Sequence, residues 1–229
     1  MNKLSIGDIV SRAWDLSVKH WPVFILLSIV EAVLGSFING NPAAFAALGP
    51  NPDPQDVVEA LNASFNPLMM LVVILGTTYL NIIVYRMLVS VLRTGQPYAD
   101  GQLADALKVN LVKYGFFLGV NIVMGLAVGF ASLLCIIPGI FLRVRWWFTP
   151  LIAATEDVTF GEAFGLSWEM TKGHFWELFL LGIVCVGIAI VGFCACCVGL
   201  IFAEVIINFI VVLAYEQLSR DAETEVTKF

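Results

Sequence analysis

Long apolar runs recur along this chain, and each is long enough to cross a bilayer as a helix, which leaves few folds open to it. They read as 23–38, 67–92, 115–137, 140–155, 177–198 and 200–218. A hydrocarbon core is crossed by about 20 helical residues. Only structures that satisfy every backbone N–H and C=O internally can span it. The expectation is therefore an all-α, polytopic integral membrane bundle of six transmembrane helices. Composition agrees: of 229 residues, 59% are hydrophobic and 13% charged, where a water-soluble domain carries about a quarter charged. A net charge of -6 argues against a nucleic-acid partner, which calls for a basic stripe.

The segments between the runs are patterned. In 5–21, Ile6, Ile9, Val10, Ala13, Trp14 and Trp21 fall on one helical face, with Asp8, Arg12, Asp15 and Lys19 off it. That reads as a helix lying in the membrane interface. Ser5 with Asp8, and Thr159 with Glu162, fit capping boxes at the starts of such helices. Residues 98–114, with Leu103, Leu107, Leu111 and Tyr114 in line, and 159–176 read as two more. Trp14, Trp21, Trp168 and Trp176 are the expected interfacial anchors.

Pro22 is expected to break the first rod from the first span, and Pro138-Gly139 and Gly199 to make tight hairpin turns. Pro150 is expected to kink span four. The segment 39–66 reads as a loop with one short helix near 56–61, and the tail after Ser219 as frayed. The segment ahead of the first run lacks a short basic region and a small-residue cleavage site, so no cleaved signal peptide is expected.

Lys3, Arg12, Lys19, Arg93, Lys108, Lys113, Lys172, Arg220 and Lys228 all lie on segments that six crossings put on one side. The opposite segments, 39–66, 137–139 and 198–199, hold no Lys or Arg. The positive-inside rule then places both termini and the amphipathic helices in the cytoplasm.

Internal repetition organises the rest. At an offset of 154, Gly7 matches Gly161, Asp8 Glu162, Trp14 Trp168, Asp15 Glu169, Ser17 Thr171 and His20 His174. At an offset of 60, Gly101 matches Gly161, Gly139 Gly199 and Glu156 Glu216. The chain reads as one membrane domain, 1–220, of three units at 1–93, 94–156 and 157–219, followed by a polar tail at 220–229. Each unit is an interfacial helix plus a transmembrane hairpin.

One stretch, IIPGIFLRVRWWFTPLIAATEDVTFGEAFGLSWEMTKGHFWELF, resembles the membrane domain attached to some bacterial glycerophosphoryl diester phosphodiesterases. It is similar also to related stand-alone bacterial and archaeal membrane proteins. Ile137-Pro138-Gly139, Arg145, Pro150, Glu156, Ala163, Ser167-Trp168, Thr171, Gly173 and Trp176 carry the resemblance. It implies a six-span bundle in the cytoplasmic membrane of a prokaryote. In the enzymes a soluble catalytic domain follows, whereas eleven residues follow Leu218 here, so no phosphodiesterase activity is carried over and the expectation is no enzyme.

Charges inside a bilayer default to a paired or functional role, at about 2.5–3.5 kcal/mol each near a helix centre. At 1.5 Å per residue from the expected outer turns, Arg143, Arg145, Glu204 and Glu31 lie roughly 6 to 10 Å deep. These four are expected to form one layer in which Glu31 and Glu204 pair with Arg143 or Arg145. The layer is either a set of structural bridges or a transport path. Arg143 over Trp147 is a possible cation–π pair.

Asn81, Asn121 and Asn208 are expected to bond across helices, and Arg86 to snorkel. Cys135, Cys185, Cys194, Cys196 and Cys197 lie in apolar runs without metal-ligand spacing, so neither metal nor cofactor is expected, and a disulfide near the outer face is more credible than a metal site. Gly115, Gly119, Gly125 and Gly129 make a small-residue face for helix approach inside the bundle or across a homo-oligomer. The functional expectation is a non-enzymatic scaffold or accessory subunit for membrane lipids, a protein partner or further copies of itself. The alternative is a transporter or lipid-handling channel using the Arg/Glu layer.

Overall fold

The computed structural model describes residues 4–36, 53–57, 59, 67–95 and 108–226. Helices occupy Ile6–Ser36 (α1), Pro67–Thr94 (α2), Leu111–Leu134 (α3), Ile136–Arg145 (α4), Thr149–Thr155 (α5), Phe160–Met170 (α6), Phe175–Cys194 (α7) and Cys196–Val226 (α8). Among the described residues six segments are long and apolar enough to cross a membrane: Ile6–Leu34, Met70–Thr94, Leu111–Leu134, Ile136–Thr155, Phe175–Cys194 and Gly199–Arg220. The protein is an all-helical, multi-pass membrane protein.

Several boundaries differ from the sequence expectation, each for a stated reason. The first rod and span run as one helix kinked at His20 (φ -112°, ψ 15°), with Pro22 inside the turn that follows. Proline is tolerated in the first turn after a break because its missing N–H would have no partner there. The hairpin turn expected at Pro138-Gly139 lies instead at extended Cys135, and Pro138 sits in the opening turn of α4. Likewise the α7–α8 turn is at Ala195, not Gly199.

Those two glycines serve close packing instead. A Cβ on Gly139 would stand 2.0 Å from Ser132 Oγ, and one on Gly199 would stand 2.4 Å from the Gly192 carbonyl oxygen. Only a bare Cα lets the arms of each hairpin approach that closely.

Span four is interrupted at Trp146–Phe148, ahead of Pro150 rather than at it. A proline ring clashes with the carbonyl four residues back and supplies no N–H to it; here that carbonyl belongs to Trp146. The Trp146 carbonyl accepts from Thr149 N–H at 3.2 Å instead, and α5 starts afresh with Pro150 in its first turn.

Helix α3 begins at Leu111 and passes straight through Tyr114, so these two belong to the span and not to a separate rod. Leu103 and Leu107 lie outside the described residues, as do most of 39–66, of which 54–57 are helical. The expected frayed tail is helical in backbone through Val226. The Thr159–Glu162 capping contact forms, Thr159 N–H donating to Glu162 Oε2 at 2.8 Å. Glu162, outside the spans, has its carboxyl held below the ordinary range by that backbone bond. Ser5 and Asp8 make no such contact among the described residues; aspartate is one methylene short of the Glu or Gln that reaches back in this motif.

The main core joins Phe24 of α1, Leu88 of α2, Phe148 and Leu151 at the α5 start, Leu178 of α7 and Phe209–Ala214 of α8. A smaller cluster joins Ile82, Phe117, Val120, Ala153 and Ala154. Around the turns at Cys135 and Ala195, by contrast, Leu133, Leu134, Ile136, Ile137, Val191 and Phe193 are exposed on the surface of the chain. Apolar side chains there meet lipid as readily as they would meet protein, so dense packing and polar bonds, more than burial from water, tie the helices together.

Candidate functional site

Span four carries the chemistry. Because Thr149 N–H turns to Trp146, the Arg145 carbonyl at the end of α4 has no helical donor. A hydroxyl from α6 captures it: Ser167 Oγ donates at 3.0 Å, while Thr171 Oγ1, just past that helix, stands 3.4 Å away and gives its single proton to the nearer Ser167 carbonyl at 2.9 Å. Both side chains are fully buried.

The Arg145 side chain lies in the same junction. Its guanidinium carbon stands 5.0 Å from the Trp168 ring centroid, 5.3 Å from Phe141 and 5.9 Å from Phe175. Aromatic faces attract a cation through their quadrupole, so three rings take the place of a carboxylate. Nε and Nη1 are buried without a hydrogen-bond partner. This corrects two expectations, since among the described residues Arg145 forms no ion pair and the guanidinium–indole contact joins Arg145 to Trp168 rather than Arg143 to Trp147. Trp147 instead lies along α7, 3.4 Å from where a Cβ on Gly182 would be.

Arg143 and Arg145 are two residues apart on a helix of 3.6 residues per turn, which points them to roughly opposite faces. Arg143 therefore cannot share the aromatic junction. It is exposed and lines an open groove of about 600 Å³ between α3, α4 and α7, with Ser132, Gly139, Gly182 and Val186 among its walls.

The two glutamates do not pair with either arginine as expected. Among the described residues the ion pairs are Arg93–Glu156 at 3.8 Å, Lys113–Asp157 at 2.7 Å, His174–Glu177 at 2.7 Å and Arg220–Glu216. Glu31 and Glu204 instead adjoin each other, where α1 packs on α8, and Glu31 Oε1 is buried without a hydrogen-bond partner. Tyr85 of α2 lies within electrostatic range of Arg143, Glu31 and Glu204. Three of the four expected residues thus share one electrostatic neighbourhood, and Arg145 leaves it. Sequence reasoning missed Tyr85; a hydroxyl within a span was the available signal.

The expected tryptophan anchors are exposed. Trp14 meets Phe202 edge-on at 5.8 Å and 77°, and Trp168 meets Phe141 at 5.9 Å and 76°. In each case the rod leans on the returning span of another hairpin. Trp176 meets Phe175 and Phe179, and Trp21 is 52% exposed.

Other polar groups depart from expectation. Asn81 and Asn121 bond the carbonyls of Thr77 and Phe117 in their own helices, because a side-chain amide reaches the i-4 carbonyl without a neighbour. Arg86 Nε donates to the Ala154 carbonyl at 3.3 Å and its Nη1 to the Lys108 carbonyl at 3.5 Å, which bridges α2 to the end of α5 and to the residues ahead of α3. Cys135, Cys185 and Cys194 are free thiols, while the side chains of Cys196 and Cys197 lie outside the described set. Gly115, Gly125 and Gly129 have open space beside them, and only Gly119 of that series meets a side chain, Phe160. Helix α3 thus turns most of its small-residue face away from the bundle.

No family model, curated protein or solved structure matches the chain.

Proposed function

We propose that this chain is a non-enzymatic scaffold or accessory subunit for protein partners or lipids in the cytoplasmic membrane of a prokaryote, with both termini in the cytoplasm. One observation carries the reading: α6 is pinned rather than free. Its Ser167 bonds the Arg145 carbonyl, Arg145 lies against Trp168, and Glu162 caps its start. A helix held at both ends and along its face makes a fixed platform, and Phe160, Leu166 and Trp168 stay exposed on it. The one-sided distribution of lysine and arginine supports the cytoplasmic placement. The resemblance of 136–179 to the membrane part of glycerophosphoryl diester phosphodiesterases supports a membrane module separable from catalysis.

Extraction of the full chain from its own membrane in native lipid discs, followed by mass spectrometry, tests this. A stoichiometric protein or lipid that is retained by the parent chain and lost from Leu166→Glu supports the platform. A chain that emerges alone, with bulk lipid in bulk proportions, overturns it.

One observation favours the second reading, a transporter or lipid-handling channel. Glu31 and Glu204 bond each other rather than a guanidinium, and a carboxyl pair within a bilayer is a common feature of ion and proton paths. Solute or lipid flux in reconstituted vesicles that disappears in Glu204→Gln would favour that reading over the platform.

A further inference from the structure

The groove beside Arg143 is a site of its own. Its volume, about 600 Å³, falls within the roughly 300–1,000 Å³ of small-molecule sites. Its walls are apolar apart from Ser132 and Arg143; Ile140 and Val144 come from α4, and Ile183 and Val186 from α7. Gly182 keeps the floor open, and the Trp147 ring lies flush against it.

Within this apolar trough stands a guanidinium that, among the described residues, no carboxylate reaches within 4.0 Å and that is stacked on no ring, unlike Arg145. A cation in hydrocarbon with no direct ion-pair contact is costly, and a phosphate from outside the chain would lower that cost. Arg143 lies about 10 Å along α4 from Ile136, and a long side chain can carry its charge from there toward the headgroup layer. Guanidinium binds phosphate with two parallel N–H···O bonds, a geometry lysine does not offer.

We propose that this groove holds one anionic phospholipid, an acyl chain along α4 and α7 and the phosphate on Arg143. The nearby carboxyls of Glu31 and Glu204 do not take the guanidinium, which leaves its donors free for the lipid. The site requires only that the chain sit in a bilayer; it stands or falls separately from the platform at α6.

The test uses the full chain in nanodiscs made of equal parts phosphatidylglycerol and phosphatidylethanolamine, with retained lipid counted by native mass spectrometry. The expected result is one phosphatidylglycerol held preferentially by the parent chain. Arg143→Gln should lower that preference about tenfold, equivalent to about 1.4 kcal/mol, without changing the melting temperature. Val186→Trp, which fills the groove, should remove the retained lipid while Arg143 remains. An unchanged phosphatidylglycerol preference in Arg143→Gln, or equal retention of both lipids by the parent chain, overturns the proposal. A parent chain that retains no Leu166-dependent partner would leave this site intact and count only against the platform.

Discussion

His20 and His174, 154 residues apart, adopt the same non-helical backbone: φ -112°, ψ 15° at one and φ -110°, ψ 18° at the other. Their surroundings correspond as well. Ser17 and Thr171, three residues ahead of each, are fully buried, and each hydroxyl donates to the carbonyl four residues back, at 2.6 and 2.9 Å. Ala13 and Ser167 are fully buried at the next turn. At both places a rod ends, the chain swings, and a span begins. At His20 the helix kinks through; at His174 a turn containing Gly173, at φ 93°, separates two helices. Glycine holds that left-handed conformation without a Cβ penalty.

The aromatic junction predicts the first outcome. Arg145→Ala should release α6 and lower stability by about 2 kcal/mol, the scale of a desolvated cation–π contact. Arg145→Lys should recover only part of it, because an ammonium lacks the planar face that stacks on rings. Hydrogen exchange over 160–170 and the emission of Trp168 would report the release, and unchanged protection would refute it.

Glycine substitutions should divide sharply. Gly199→Val drives a side chain into the Gly192 backbone, which cannot give way, and should cost about 1–3 kcal/mol or more. Gly125→Ala, facing open space, should be neutral or stabilise by up to about 1 kcal/mol. Thermal melts of the two variants in the same detergent would check the contrast.

Glu204→Gln should not destabilise the protein. Glu204 adjoins Glu31 rather than an arginine, and an amide can donate the hydrogen bond that a second carboxylate cannot. A fall of several degrees in melting temperature would instead point to lost ion pairing.

Acid should loosen the polar ends before the spans. The Glu162 carboxyl is held low by the Thr159 backbone N–H, and that of Asp157 by Lys113. A carboxyl depressed in the folded state adds stability above its unfolded pKa, and that stability is lost as pH falls through the folded one. Exchange protection near 157–163 should therefore drop as pH falls through and below the ordinary carboxylate range, while 178–188 stays protected. Protection at 157–163 that is independent of pH there would contradict the assignment.

The proposed orientation places Cys135 and Cys194, both exposed free thiols, outside the cytoplasm. Single-cysteine chains carrying either one should react with a membrane-impermeant maleimide added to intact cells, and a Trp14→Cys chain should react only after lysis. The reverse pattern would invert the topology.

By itself the sequence determined the class of fold. A bilayer accepts almost nothing but helices, so six long apolar runs could become only spans, and the strong N-terminal signal at Thr159 and Glu162 was readable because a capping box is local. The tertiary structure decided which charges meet. Whether Arg143 or Arg145 finds a carboxylate depends on the rotation of α4 about its axis and on the break that Pro150 imposes behind it; that break sets Arg145 against the rings of α6 and α7 and leaves Arg143 over the groove. The roles of Gly139 and Gly199 were hidden for the same reason. A glycine that opens a turn and one that admits a neighbouring backbone look alike along the chain, and only the distance to Ser132 or Gly192 tells them apart.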